Sequence, residues 1–289
     1  MICFLSLFPF GEKWNRLAQN GSVSKITVPF VLLAAWRGGG MAKIKTEAIV
    51  LDQGNTLIMD PFQPVLKLKL GKFTGLFRSH GIKIDAKRLV EEWTMANKEM
   101  NYPHIGHFFQ EEPIIQVALA GLGVGPDIAS LLGLELLRAY RTGLKELIAS
   151  DPRTRQVKET LGKLKDRGKR LGVFSNDRIV GLGLTLHCMG IQACFEYIET
   201  SESIGIEKPD PRVFDHILNW FCLPPHLITY VGDDPIRDID AAKRKDLKAV
   251  WYSVDPNLYD ENWRNYRAPM EFRPDAIITS FAELLDVLD

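Results

Sequence analysis

The fold is decided by residues 48–57, which read Ala-Ile-Val-Leu-Asp-Gln-Gly-Asn-Thr-Leu. Four consecutive apolar residues, Ala48 to Leu51, are typical of a short strand buried on both faces of a parallel sheet. Asp52 follows directly, and the turn-forming residues Gly54, Asn55 and Thr56 come next. Taken alone, an acid before such residues is equally typical of a turn with local side-chain hydrogen bonds. The stretch therefore predicts a buried strand that carries a carboxylate at its carboxyl end.

The same design recurs three times along the chain. The later apolar runs are 171–174 before Ser175-Asn176, 197–200 before the loop that holds Lys208, and 227–231 before Gly232-Asp233-Asp234. Two further runs, 249–252 and 276–278, indicate strands towards one edge, and helical patterns separate the runs. This alternation predicts an α/β fold with a doubly wound parallel sheet. Ligands of such sheets bind at the carboxyl ends of the strands.

The alternation is interrupted by residues 59–149, where four helix-like stretches contain no strand pattern. We interpret this region as a helical cap inserted after the first strand, with a core made of residues 41–58 and 150–289. Residues 1–40 precede Met41, a plausible protein start, and are interpreted as an N-terminal extension of uncertain status.

Composition limits the classes of function. The chain has 289 residues, 36 basic and 36 acidic, so its formal net charge of zero favours neither nucleic acid nor an anionic membrane as partner. The apolar runs within residues 1–40 are too short to span a bilayer. The four cysteines, Cys3, Cys188, Cys194 and Cys222, are too few and too scattered for a disulfide-rich or zinc-binding fold, which favours the reducing cytoplasm.

Polar residues at the strand ends indicate the chemistry. Asp233, Asp234 and Asp238 place three carboxylates within six residues, a costly arrangement unless a cation or water lies among them. Oxygen ligands of this kind suit a hard divalent metal. Lys208 precedes Pro209, which disfavours helix and holds it in a loop, where a lysine is commonly just solvated. Ser175-Asn176 alone would be an ordinary helix cap.

In this order on successive strands, the four motifs resemble those of the haloacid dehalogenase superfamily. The resemblance extends from about Thr46 to Tyr252 and includes residues 201–214, which surround Lys208. The inserted cap matches the subgroup of phosphoglycolate-type phosphatases and 2-haloacid dehalogenases. The resemblance implies a Rossmann-like core and hydrolysis of a small phosphorylated molecule.

The resemblance also implies roles for individual residues. Asp52 would be the nucleophile and form an aspartyl-phosphate. A Mg²⁺ ion would be held by Asp52, Asp233 and the backbone carbonyl of Gly54, supported by Asp234 or Asp238.

Further residues would bind the phosphoryl group. Lys208 would add a positive charge beside the reacting oxygens, while Ser175 and the backbone at Asn176 would donate hydrogen bonds. In the cap, His104 and His107 are candidates for contact with the substrate or for metal binding, although Pro103 and Gly106 favour an ordinary exposed loop.

One position departs from the family pattern. Most phosphatases of the family carry a second aspartate two residues after the nucleophile, as general acid and base, and here that residue is Gly54. Three interpretations remain open: a phosphohydrolase that tolerates Gly54, a dehalogenase that needs neither acid nor metal, and a non-catalytic binding or regulatory module. The aromatic segment 251–266 could pack over the sheet edge or meet a second subunit, so a monomer and a homodimer are both compatible with the sequence.

Overall fold

The computed structural model describes residues 43–100, 111–253 and 271–289. Its centre is a six-stranded parallel sheet with the order β3-β2-β1-β4-β5-β6. The strands are β1 (Ala48–Leu51), β2 (Arg170–Ser175), β3 (Tyr197–Thr200), β4 (Ile228–Gly232), β5 (Lys248–Tyr252) and β6 (Ala276–Ile278). The predicted strands, their parallel direction and the edge position of the last two are confirmed.

The predicted helical cap lies between β1 and β2. Its helices are α1 (Phe62–Ser79), α2 (Ala86–Met100), α3 (Glu111–Gly121) and α4 (Pro126–Ser150). The core helices are α5 (Pro152–Asp166), α6 (Ile179–Met189), α7 (Ser201–Ile204), α8 (Pro211–Phe221), α9 (Ala241–Lys243) and α10 (Leu284–Val287). A π-helical turn, Pro235–Asp240, leads into α9, and single 3-10 turns lie at Gln192–Cys194, Pro225–Leu227 and Phe281–Glu283.

Strand β1 lies at the centre because both of its faces are apolar. Ile49 and Leu51 pack into one cluster with residues of α5 and α6, while Ala48 and Val50 pack into a second cluster with residues of α8. All four are fully buried. This explains why the strand reads as a continuous apolar run instead of an alternating one.

The cap has a hydrophobic core of its own, which contains Phe73, Trp93 and Leu136. The ring of Trp93 packs 5.9 Å from Phe73 and 5.6 Å from Tyr140, measured between centroids. Helices α1 and α4 cross closely at Gly143, where a Cβ atom would lie 2.9 Å from Cγ1 of Val65. The cap is therefore a packed layer of helices that can enclose a site at its edge.

The sheet order brings the predicted motifs together. The chain leaves β1 towards β2 and β3, then crosses back to β4 on the other side of β1. Leu51 lies level with Val173 on β2 and Val231 on β4, so the carboxyl ends of the three strands meet at the point where the winding reverses. Among the helices described, none combines the length and hydropathy needed to cross a bilayer.

Candidate active site

The site is centred on a buried lysine. The ammonium of Lys208 donates to Oδ1 of Asp52 at 2.6 Å, to Oδ1 of Asp238 at 2.7 Å and to the hydroxyl of Tyr230 at 2.9 Å. A lysine has three N–H donors, and these contacts use all of them. Lys208 is only 2% exposed, so the interpretation of a solvated loop lysine is wrong.

The carboxylates of Asp238 and Asp52 keep Lys208 positively charged. Burial alone would lower the pKa of Lys208, but the carboxylates of Asp238 and Asp52 outweigh this effect and hold that pKa well above its ordinary value. The lysine is therefore a permanent cation, and it holds the Asp52 side chain in one position.

Two loops fix the backbone at Lys208. The side-chain amide of Asn176 donates to the carbonyl of Lys208 at 2.8 Å, and its Oδ1 accepts the backbone N–H of Lys208 at 2.9 Å. Asn176, which directly follows β2, thus ties the end of that strand to the loop after β3. The amide N–H and Oδ1 of the Asn176 side chain are both used in these hydrogen bonds. Backbone groups and Ser175 are therefore better placed to bind a phosphoryl group.

Three buried carboxylates converge beside the lysine. Asp52, Asp233 and Asp238 each offer an oxygen, and these oxygens lie within 4.8 Å of one another. The three residues are at most 7% exposed. With all three carboxylates ionised, the group and Lys208 together carry a net charge of −2, and burial raises the pKa of Asp238, so a cation among them would favour this ionised state. This donor set and this charge suit a divalent metal ion.

Asp233 is held from two sides. The side-chain amide of Asn55, a residue in the left-handed region with φ of 53°, donates to Oδ2 of Asp233 at 3.2 Å. The indole N–H of Trp251 donates to the carbonyl of Asp233 at 2.9 Å. Trp251 thus belongs to the support of the site. The rest of the predicted aromatic segment beyond residue 253 lies outside the described residues.

Asp234 and Asp238 differ in their roles. The Asp234 carboxylate accepts the backbone N–H groups of Ile236 and Arg237, both at 2.9 Å, and so caps the π-helical turn. It is not among the three converging carboxylates. Asp238, one turn later, points back to the site, and its Oδ2 accepts the backbone N–H of Asp234 at 2.9 Å. Of the two residues that the sequence suggested as metal support, the geometry favours Asp238.

A cavity of about 250 Å³ lies between the site and the cap. From the core it is lined by Gly54, Ser175 and Asn176, and from the cap by Trp93 and Tyr140 among others. A Cβ atom at Gly54 would have one neighbour within 4 Å, Oδ2 of Asp52 at 4.0 Å. There is thus open space beside the carboxylate at the position where most phosphatases of the family carry their second aspartate.

Several residues of the site were not identified from the sequence. Tyr230 lies within a continuous apolar strand, and nothing in its pattern shows that its hydroxyl reaches Lys208. Gly232 is needed because a Cβ atom there would overlap the carboxylate of Asp238. Asn55 and Asp177 belong to turn segments whose composition is common in loops. His104 and His107 lie outside the described residues.

Comparison with known proteins places this site in a family. Residues 129–252, which include Ser175, Lys208 and Asp233, match the profile of the haloacid dehalogenase-like hydrolases. A phosphoserine phosphatase of Thermus thermophilus is 27% identical over 245 residues, covering 74% of this chain and 90% of the relative. A glyceraldehyde 3-phosphate phosphatase of Pyrococcus furiosus is 27% identical over 133 residues, covering 46% of this chain and 53% of the relative.

The fold has solved counterparts. The crystal structure of a 2-haloacid dehalogenase from Pseudomonas syringae superimposes with a TM-score of 0.59 at 22% identity, covering 84% of this chain and 97% of that one. Strands β2 to β5 and the motifs that follow β2, β3 and β4 lie within the residues that the profile matches. The profile match and the phosphatase relatives support a hydrolase of the haloacid dehalogenase superfamily, and the solved structure supports its fold.

Proposed function

We propose that the protein is a Mg²⁺-dependent phosphohydrolase that acts on a small phosphorylated molecule through an aspartyl-phosphate on Asp52. The observation that carries this proposal is the convergence of three buried carboxylates and the buried Lys208 at the carboxyl ends of the strands. Displacement of halide from carbon needs no metal, so a dehalogenase needs fewer carboxylates than this arrangement supplies.

The residues present fit a magnesium ion. Asp52 and Asp233, with the backbone carbonyl of Gly54, would hold it, and Asp238 would support its water ligands. Bound there, the ion would neutralise the charge of the phosphate and allow a carboxylate to approach it. Asp234 caps the neighbouring turn and is not proposed as a ligand.

The side chains of this chain would act in sequence. Oδ2 of Asp52 faces the space beside Gly54, while Oδ1 is held by Lys208, so the carboxylate is oriented before substrate binds. Ser175, at the end of β2, would donate a hydrogen bond to the phosphoryl oxygens. Lys208 would stabilise negative charge around Asp52 as the phosphoryl group transfers. Water would then hydrolyse the aspartyl-phosphate and regenerate Asp52.

The names of the relatives support phosphate esters as substrates. The Thermus protein is a phosphoserine phosphatase and the Pyrococcus protein a glyceraldehyde 3-phosphate phosphatase, so both act on phosphate esters of small alcohols. We propose a small-molecule partner of this class, bound in the cavity between core and cap. We also propose residues 59–149 as the cap domain. The free thiols of Cys188, Cys194 and Cys222 support a reducing compartment, and we propose the cytoplasm as the location.

Purified protein, Mg²⁺ and an aryl phosphate test the proposal. The wild type should release phosphate, EDTA should abolish the release, and Asp52→Asn should abolish it in the presence of Mg²⁺. Turnover of a 2-haloacid with EDTA present would establish a dehalogenase instead. Absence of both reactions, together with no effect of Mg²⁺ on the melting temperature, would support a non-catalytic module.

A further inference from the structure

Gly54 leaves the cavity without the usual second aspartate, but another carboxyl group, that of Asp177, lies in the cavity wall. Asp177 follows Ser175 and Asn176 on the loop after β2 and lines the same cavity as Gly54. It is half-buried, and its Oδ1 accepts the backbone N–H of Arg178 at 2.7 Å. A Cβ atom at Gly181 would lie 2.8 Å from Oδ2 of Asp177, so the glycine on α6 makes room for this carboxyl group.

The other acidic groups of the cavity wall are less suited to donate a proton. The carboxylate of Glu111 already accepts two hydrogen bonds from Arg141, from Nη2 at 2.8 Å and from Nε at 3.2 Å. Oδ1 of Asp60 caps the start of α1 by accepting the N–H of Phe62 at 3.0 Å. Burial, with Glu111 as the next cause, raises the pKa of the Tyr140 hydroxyl far above its ordinary value and makes it too weak an acid.

The surroundings of Asp177 favour its protonated form. Burial raises the pKa of Asp177 to about 6, the carboxylates of Glu111 and Glu202 raise it as well, and the amide and guanidinium of Arg178 lower it. Tyr140 also lines this cavity, and the carboxylate of Asp177 is among the groups that raise the pKa of its hydroxyl. A carboxyl group whose pKa lies near the working pH can both donate and accept a proton, as a general acid and base must.

We propose that Asp177 is the general acid and base of the reaction, in place of the aspartate that Gly54 replaces. This inference rests on the proposed phosphohydrolase function. As Asp52 attacks phosphorus, the bond to the ester oxygen breaks, and Asp177 gives its proton to that oxygen, which leaves as an alcohol. The Asp177 carboxylate then takes a proton from the attacking water. The bond between phosphorus and Asp52 breaks, and inorganic phosphate and the Asp52 carboxylate are formed.

The leaving group decides how much such an acid matters. An aryl oxide leaves readily without a proton, whereas an alkoxide does not. With Mg²⁺ present, Asp177→Asn should lower kcat/KM for an alkyl phosphate such as glycerol phosphate by about 10²-fold or more, and for p-nitrophenyl phosphate by less than about tenfold. In the wild type, the ratio of alkyl to aryl rates should rise as the pH falls through about 6, because the acid must be protonated. In Asp177→Asn this rise should be absent.

Two further variants separate a chemical role from a structural one. Glu111→Gln removes another carboxylate from the same cavity wall but leaves Asp177 in place, so the rise of the alkyl-to-aryl ratio at low pH should remain, shifted to lower pH because Glu111 raises the pKa of Asp177. Gly54→Asp combined with Asp177→Asn should recover at least about tenfold of the lost alkyl phosphatase activity, because it supplies a new acid in open space. A structural defect at position 177 would not be repaired in this way.

The outcomes are distinguishable. Equal losses with both substrates, or no recovery in the double variant, would overturn the role of Asp177 while leaving the phosphohydrolase proposal intact. A wild type inactive on p-nitrophenyl phosphate would contradict the phosphohydrolase proposal itself, and this inference with it.

Discussion

Asn176 and Lys208 are joined by two hydrogen bonds, of 2.8 Å and 2.9 Å, which connect the end of β2 to the loop after β3. The pair is 32 residues apart in sequence. Because these bonds fix the backbone of Lys208, they determine where its ammonium lies relative to Asp52 and Asp238. The amide of Asn176 therefore positions the site without needing to contact substrate.

Asn176→Ala should consequently affect both stability and rate. Loss of two partly buried hydrogen bonds should lower the free energy of unfolding by about 1–3 kcal/mol. Displacement of Lys208 should lower kcat on an aryl phosphate by about tenfold or more. Asn219→Ala, at an exposed helical position, is the control and should change stability by less than about 0.5 kcal/mol. Urea unfolding and steady-state kinetics check both values, and an unchanged kcat in Asn176→Ala would contradict the positioning role.

The adjacent residues Asp233 and Asp234 should respond differently to substitution. Mg²⁺ at about 100 times its dissociation constant should stabilise the wild type by about 2.7 kcal/mol. Asp233→Asn should lose most of this effect because it removes a proposed ligand. Asp234→Asn should keep it, because asparagine also caps a helix and this side chain faces the turn. Melting temperatures with and without Mg²⁺ provide the comparison, and equal responses of the two variants would show the assignment to be wrong.

Gly54→Asp should speed the hydrolysis of alkyl phosphates more than that of aryl phosphates. The new side chain has space, since the nearest atom to its Cβ would be Oδ2 of Asp52 at 4.0 Å. With Asp177 already supplying a proton, the gain on alkyl esters should stay within about tenfold, less than a general acid contributes alone. Rates with glycerol phosphate and p-nitrophenyl phosphate measure the difference. Equal or reduced rates for both would count against this account of position 54.

Two glycines of the cap helices, one crowded and one exposed, should respond oppositely to substitution by alanine. Gly143→Ala should destabilise the protein by about 1–3 kcal/mol, because the added methyl would lie 2.8 Å from the Lys69 side chain and 2.9 Å from Val65. Gly71→Ala on the exposed side of α1 meets nothing within 4 Å and should stabilise it by up to about 1 kcal/mol, since alanine favours helix. Denaturant midpoints of the two variants should move in opposite directions. A shift of both in the same direction would mean that the helices do not cross closely at Gly143.

The sheet could be predicted from the sequence because most of its strands are continuous apolar runs that end at polar residues. Runs such as Ala48 to Leu51 are apolar on both faces, a pattern typical of a central strand in a parallel sheet. Asp52 and Asp233 follow such strands directly, so their meeting at one edge of the sheet is a consequence of the topology.

Burial and side-chain direction could not be predicted in the same way. The sequence around Lys208 resembles an exposed loop, and its burial depends on Tyr230, Asn176 and Asp238 from three other segments. Asp234 and Asp238 have the same chemistry, and only the geometry of the turn shows that the first is a cap. Asp177 lies beside a predicted motif, but its place in the cavity depends on the absence of a side chain at Gly181.

The central claim is that Asp52 carries the phosphoryl group during turnover. It can be tested most directly by acid quenching of the wild type during turnover of a ³²P-labelled phosphate ester in Mg²⁺, followed by peptide mapping at low pH. We expect label on the peptide that contains Asp52, loss of this label on treatment with hydroxylamine, and no label in Asp52→Asn. Steady release of phosphate without a labelled Asp52, or undiminished hydrolysis by Asp52→Asn, would contradict it.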